Sequence, residues 1–129
     1  MRALLLALAA VSGLAGAAPA ELKLGEAVYA RCMACHALAY DRTGPRHCGL
    51  FGRRAGSVPG FSYSAAMSQS QIVWTAKTLD RFLADPTHNV PGTSMGYAGV
   101  KDKGERSALI AYLRAAQGTC DATMLKTQH

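Results

Sequence analysis

A chain of 129 residues that is 50% hydrophobic and 17% charged is long enough for one small globular domain and too short for a second. Its formal charge of +6 comes without blocks of lysine and arginine and without aromatics interleaved among basic residues. That pattern excludes nucleic acid as a partner and leaves a moderate field that steers toward acidic faces of other proteins.

The first 20 residues read as a secretory signal peptide. Arg2 supplies the positive end, Ala3 to Leu14 is a short apolar run, and Ala18-Pro19-Ala20 offers small residues for cleavage near Ala20. An uncleaved anchor is the rival, but the run is alanine-rich, broken by Ser12 and Gly13, and short of the roughly 20 apolar residues of a spanning helix. The chain therefore divides into residues 1–20 and an exported, periplasmic domain 21–129, with no stable membrane insertion. Removing Arg2 with the leader leaves +5. A mature chain of about a hundred residues has a thin core, to which a prosthetic group would add apolar contact.

Glu21 to Met33 reads as a helix with an apolar stripe of Leu22, Gly25, Ala27, Val28 and Tyr29. Gly25 is out of place there, because an interior glycine costs up to about 1 kcal/mol relative to alanine, and it suggests that another backbone crosses closely. Next comes Cys32-Met33-Ala34-Cys35-His36. Two thiols at this spacing with a histidine directly after the second are what covalent haem attachment needs, each sulfur adding to a vinyl group while the imidazole ligates iron. A redox dithiol wants a thioredoxin-like alternation of strands and helices, which the flanks lack. A structural zinc site wants a second ligand pair, which is missing, and neither alternative uses the histidine.

From Gly44 to Gly60 glycines and prolines mark successive turns. A short helix follows from Ser64 through Gln71, and a stronger one from Thr75 to Ala84, with Leu79, Phe82 and Leu83 on one face and Asp85-Pro86 as its stop. Trp74 between them reads as core whose indole N–H wants an acceptor. Asn89 to Lys103 is irregular, and Asp102 to Ala116 is the clearest helix, with Gly118 as its stop. The architecture is all-α, three or four helices and no strands, with loops long enough to need something to organise them.

If His36 takes one axial position, the candidates for the other are His47, His88, His129, Met67, Met95 and Met124. His88 lies in a polar stretch beside a helix stop and His129 is terminal; Met67 is helical and Met124 lies in the tail. His47 follows the first ligand closely, in a loop on the same side. Met95 stands in the turn Pro91-Gly92-Thr93-Ser94-Met95-Gly96, far enough along the chain to reach the opposite face. A soft thioether paired with histidine favours reduced iron and raises the potential, as suits an electron carrier.

From about Gly25 to Ala116 the sequence resembles class I cytochromes c of the mitochondrial and alphaproteobacterial type. The motifs are CMACH, TGP at Thr43 to Pro45, GLFGR at Gly49 to Arg53, PGFSYS at Pro59 to Ser64, DP at Asp85-Pro86, PGTSM at Pro91 to Met95 and IAYL at Ile110 to Leu113. The resemblance implies a small cytochrome c fold with crossed terminal helices around one haem c, bonded through Cys32 and Cys35 and ligated by His36 and Met95. It further implies that the Pro45 carbonyl orients His36, that Tyr63, Trp74 and Thr93 hydrogen-bond the haem propionates with Arg53 offsetting their charge, that Tyr97 covers the haem edge, and that Gly25 and Tyr29 meet Leu109 and Tyr112 where the helices cross.

Departures from the family pattern carry their own expectations. Phe82 stands where a tyrosine often reaches the methionine sulfur, Met67 replaces an asparagine, and His47 takes an ordinarily apolar place. Ser94 and the Pro86 to Asn89 stretch lack the family's lysines, which leaves Arg31, Arg42, Lys101 and Lys103 as the basic groups near the haem edge. In the family fold the turn after Gly-Pro lies near the end of the last helix, so the resemblance implies a disulfide between Cys48 and Cys120. The function implied is that of a monomeric periplasmic electron carrier and not an enzyme. Its partners are redox protein donors and acceptors, whether an oxidase, a photosynthetic centre or a periplasmic dehydrogenase. A haem enzyme or gas sensor with an open iron position, and a bound subunit of a larger complex, are the rival classes.

Overall fold

A computed structural model of the chain describes residue 13 and residues 16–126. Arg2 and most of the apolar run of the expected leader lie outside the described residues, as does His129. Five helices follow in order: α1 (Pro19–Tyr29), α2 (Ala65–Gln69), α3 (Ala76–Ala84), α4 (Pro86–Asn89) and α5 (Lys103–Lys126). Among the described residues the only extended pairing is an isolated antiparallel bridge between Arg54 and Val73.

The crossing of α1 and α5 is the frame. Val28, Tyr29, Ala108, Leu109 and Leu113 are buried there, and the rings of Tyr29 and Tyr112 pack 5.3 Å apart. Gly25 makes the close approach possible. A Cβ on it would collide with the Ala108 carbonyl oxygen and lie 2.6 Å from the Tyr112 Cβ. We expect Gly25→Ala to force the helices apart and to cost about 1–3 kcal/mol, the range for an overpacked interior, read as a lower denaturation midpoint at unchanged slope.

Local sequence explains where the shorter helices begin and end. Thr75 caps α3 by accepting from the Thr78 N–H, while the Thr78 hydroxyl accepts from the Thr75 N–H, a reciprocal cap that offsets two unpaired donors. Leu79, Phe82 and Leu83 form its buried face. At its end the Asp85 carboxylate accepts from the His88 N–H and Pro86 occupies the first helical position, so the residues expected only as a stop also start the single turn of α4. Arg106 ties α3, α5 and the loop between them, donating to Asp80 at 2.9 Å and to the Val100 and Lys101 carbonyls.

Three helix boundaries differ from the expectation. The first helix runs Pro19–Tyr29 and not 21–33, because after Tyr29 the chain tightens into successive turns that carry the Cys32 to His36 motif. The second stops at Gln69, and Gln71 takes a left-handed φ of 59°. The last does not stop at Gly118 but continues to Lys126. Its continuation is anchored, since Cys120 is buried and paired with Cys48, Cα atoms 5.5 Å apart. That tertiary constraint outweighs the propensity penalty of about 1 kcal/mol for one glycine.

Candidate haem site

The turns after α1 set the first side chains. The Cys35 and His36 N–H groups both donate to the Cys32 carbonyl, at 3.1 and 2.9 Å, and the Gly44 N–H donates to the Cys35 carbonyl at 2.7 Å. This folds Cys32, Cys35 and His36 onto one wall of a cleft, with both thiols free. His36 is 8% exposed and its Nδ1 bonds the Pro45 carbonyl at 2.8 Å, which directs Nε2 to the other side of the ring. Burial holds the imidazole below the usual histidine range, against the opposing pull of that carbonyl; a neutral ring is the form that binds metal. Gly44 lies so close that a Cβ would enter the imidazole, 2.6 Å from Nδ1.

An inner cavity is walled by Leu50, Leu79, Phe82, Leu83, Leu109 and Leu113, with Cys32, His36, Pro45, Arg53, Tyr63, Trp74 and Met95 on its lining. It continues into an outer cleft that adds Cys35, Thr93 and Tyr97 and shares Cys32, His36, Tyr63, Met67 and Met95 with the inner part. Every residue that the resemblance assigns to the haem therefore lies on one continuous concave surface, apolar within and open at one edge, whereas His88 is not on it and Met124 and His129 fall outside the described side chains. Its lining fits a large flat ligand.

The polar groups on the lining fit haem as well. The Trp74 indole makes no hydrogen bond among the described residues although the side chain is 7% exposed. The Tyr63 hydroxyl accepts from the Val58 N–H at 3.2 Å and the Thr93 hydroxyl from the Met95 N–H at 3.2 Å, so each keeps its proton for a further acceptor. Arg53 is half-committed elsewhere: its guanidinium donates to the Arg46 carbonyl at 2.9 Å and the Cys48 carbonyl at 3.1 Å, and burial lowers its pKa.

His47 does not reach the face opposite His36. Its ring stacks on the His36 ring at 4.3 Å and its Nδ1 meets the Tyr29 hydroxyl at 3.1 Å. Burial, with the neighbouring His36 and Arg53 adding to it, lowers its pKa to about 3. The expected basic groups also divide. Arg31 forms a two-pronged pair with Glu105 at 2.7 and 2.8 Å, and Lys101 donates to the Ala84 carbonyl at 2.8 Å. Arg42 donates to the Met33 carbonyl, and Lys103 has no partner among the described residues.

The family model for cytochrome c matches residues 22–117, nearly all of the domain just described. The chain belongs to the cytochrome c family. It is 41% identical over 106 residues to cytochrome c2 of Blastochloris viridis, covering 80% of this chain and 84% of the relative. Over 96 residues it is 44% identical to cytochrome c2 of Afifella marina, covering 70% and 77%. The solved structure of cytochrome cH from Methylobacterium extorquens superposes with a TM-score of 0.71 at 36% identity, over 73% of this chain and 97% of that one. As a class I cytochrome c the protein binds one haem c covalently through Cys32 and Cys35 and carries electrons.

Sequence reasoning missed Gln117, whose amide donates to the His47 carbonyl at 3.2 Å and accepts from the Gly49 N–H at 2.8 Å. A lone glutamine on an amphipathic helix carries no signal of such a role.

Proposed function

We propose that this cytochrome c is an exported, periplasmic, monomeric carrier that moves single electrons between redox proteins, with His36 and Met95 as the iron ligands. The observation that carries the reading is the meeting of these two side chains on one cavity, His36 fixed by Pro45 and Met95 brought in by a turn some sixty residues later. Haem iron held by an imidazole and a thioether exchanges one electron at a raised potential. The chain supplies everything else. Apolar side chains exclude water from the ligands, and Tyr63, Trp74 and Thr93 have hydrogens to give to the propionate carboxylates while Arg53 supplies positive charge nearby. Tyr97 lines the open edge, where an electron passes to a docked protein without bonds being made or broken.

The N-terminal pattern supports cleavage near Ala20 and export, and an oxidising compartment supports a Cys48–Cys120 disulfide. No helix among the described residues is long and apolar enough to cross a membrane. An oxidase, a photosynthetic centre or a periplasmic dehydrogenase are the partner classes this surface suits; Arg42 and Lys103, neither of them paired with a carboxylate, are the basic groups left to meet an acidic face.

The test is carbon monoxide added to the reduced holoprotein. A carrier with both axial positions filled shows an unchanged spectrum and still gives one electron per molecule to ferricyanide. A spectrum that shifts with carbon monoxide would move the protein to the haem enzymes or gas sensors.

A further inference from the structure

In the loop that follows the first ligand, the backbone N–H groups of residues 46–49 and the carbonyls of residues 46–48 are all hydrogen-bonded. Arg46 N–H donates to Asp41 at 2.9 Å, His47 N–H to the Ala37 carbonyl at 3.2 Å and Cys48 N–H to the Leu38 carbonyl at 2.8 Å. Gly49 N–H donates to the Gln117 side chain at 2.8 Å. The carbonyls are engaged too: Arg46 and Cys48 by the Arg53 guanidinium, His47 by the Gln117 amide. Cys48 is in addition paired with Cys120. Residues 117 and 120 lie one turn apart on the far end of α5, beyond the segment that crosses α1, and between them they reach three consecutive residues of the loop, Gln117 bonding His47 and Gly49 and Cys120 bonding Cys48.

What that loop touches is the ligand. Pro45, directly before the anchored segment, accepts the His36 Nδ1–H at 2.8 Å, and His47 stacks on the His36 ring at 4.3 Å. A backbone carbonyl can hold an imidazole in one orientation, and raise its basicity, only as well as the carbonyl is itself held.

We propose that the C-terminal extension of α5 is a clamp on the proximal ligand, in which Gln117 and Cys120 are positioning residues that fix the Pro45 carbonyl and the His47 ring against His36 and thereby set the reduction potential. The idea rests on His36 as an iron ligand. The clamp works by pulling the 47–49 segment toward α5, which keeps the Pro45 carbonyl in line with Nδ1. A firm hydrogen bond there makes the imidazole a stronger donor and favours oxidised iron, so a loosened clamp raises the potential.

The test uses the ferric and ferrous holoprotein, comparing wild type with Gln117→Ala, Gln117→Glu and the Cys48→Ser/Cys120→Ser pair. Gln117→Glu keeps the acceptor for the Gly49 N–H and loses the donor to the His47 carbonyl, so it provides a folded variant should the others fold poorly. The readouts are the midpoint potential and the hydrogen exchange of the His36 Nδ1 proton by NMR. We expect the proton to exchange at least tenfold faster in Gln117→Ala and in the serine pair, less in Gln117→Glu, with the potential rising in the same order. A lowered melting temperature with unchanged exchange and potential would overturn the clamp and leave these residues a purely structural role. If the His36 Nδ1 proton in the wild-type ferric protein shows no paramagnetic shift, the ligand assignment itself fails, a result distinguishable from failure of the clamp.

Discussion

Met95→Ala is expected to abolish the weak near-infrared band of sulfur bound to ferric low-spin haem and to let the reduced protein bind carbon monoxide. Its potential should fall by at least about 60 mV, a tenfold change in the preference for reduced iron in a one-electron couple. The geometry behind this is a turn built for placement. Thr93 N–H donates to the Val90 carbonyl at 3.0 Å, the Thr93 hydroxyl accepts from the Met95 N–H, and Gly92 takes a φ of 91° that a larger residue resists. Met95 lines both the inner cavity and the outer cleft, as a side chain on the face away from His36 would. Phe82, at the position where the family often has a tyrosine, packs on Trp74 with ring centroids 5.0 Å apart and has no hydroxyl to offer the sulfur. Met67 lines the same two compartments and is the internal control: a band that survives in Met95→Ala and is lost in Met67→Ala transfers the ligand role to Met67. No band in the wild type would sink the thioether reading altogether.

What was legible in the sequence divides along a physical line. The Cys32 to His36 motif, the odd glycine at 25 and the face of α3 are local patterns whose meaning does not depend on the rest of the chain, and the structure places each as expected. The fold class follows from them together with the resemblance. What was not legible lies where distant residues intervene. Gly118 looks like a helix stop to any local rule, yet Gln117 and Cys120 on either side of it are anchored to residues about seventy positions earlier. Arg31 reads as a free basic group, and only the structure finds Glu105, 74 residues away, pairing with it at the surface. Arg53 reads as a counter-charge for propionates and lines the cavity as such, but both of its hydrogen bonds go to the 46–48 backbone. His47 stayed open as a ligand because sequence distance cannot say which face of His36 it meets; the structure stacks it on that ring.

Cys48→Ser/Cys120→Ser is expected to lose at least about 4 kcal/mol of stability at 25 °C, the chain-entropy part for a loop closed over a separation of 72 residues. Because the effect lies mainly in the unfolded state, the variant should also unfold with a steeper denaturant slope, as a chain free of the crosslink exposes more surface. Both side chains are buried, so the two serine hydroxyls add a desolvation cost of about 1–3 kcal/mol each where they find no partner. The alanine pair separates the two effects, keeping the entropic loss without the buried hydroxyls. Amide exchange then shows what holds the end of α5. With the crosslink gone, the glycine at 118 is expected to fray the helix, and amides from 118 onward should exchange faster while those from 105 to 113, packed on α1, stay protected. Continued protection of the last turns would mean that Gln117 alone anchors the extension. An unchanged denaturation midpoint, or a mass showing four free thiols once the haem is stripped from the exported protein, would rule out the disulfide as a source of stability.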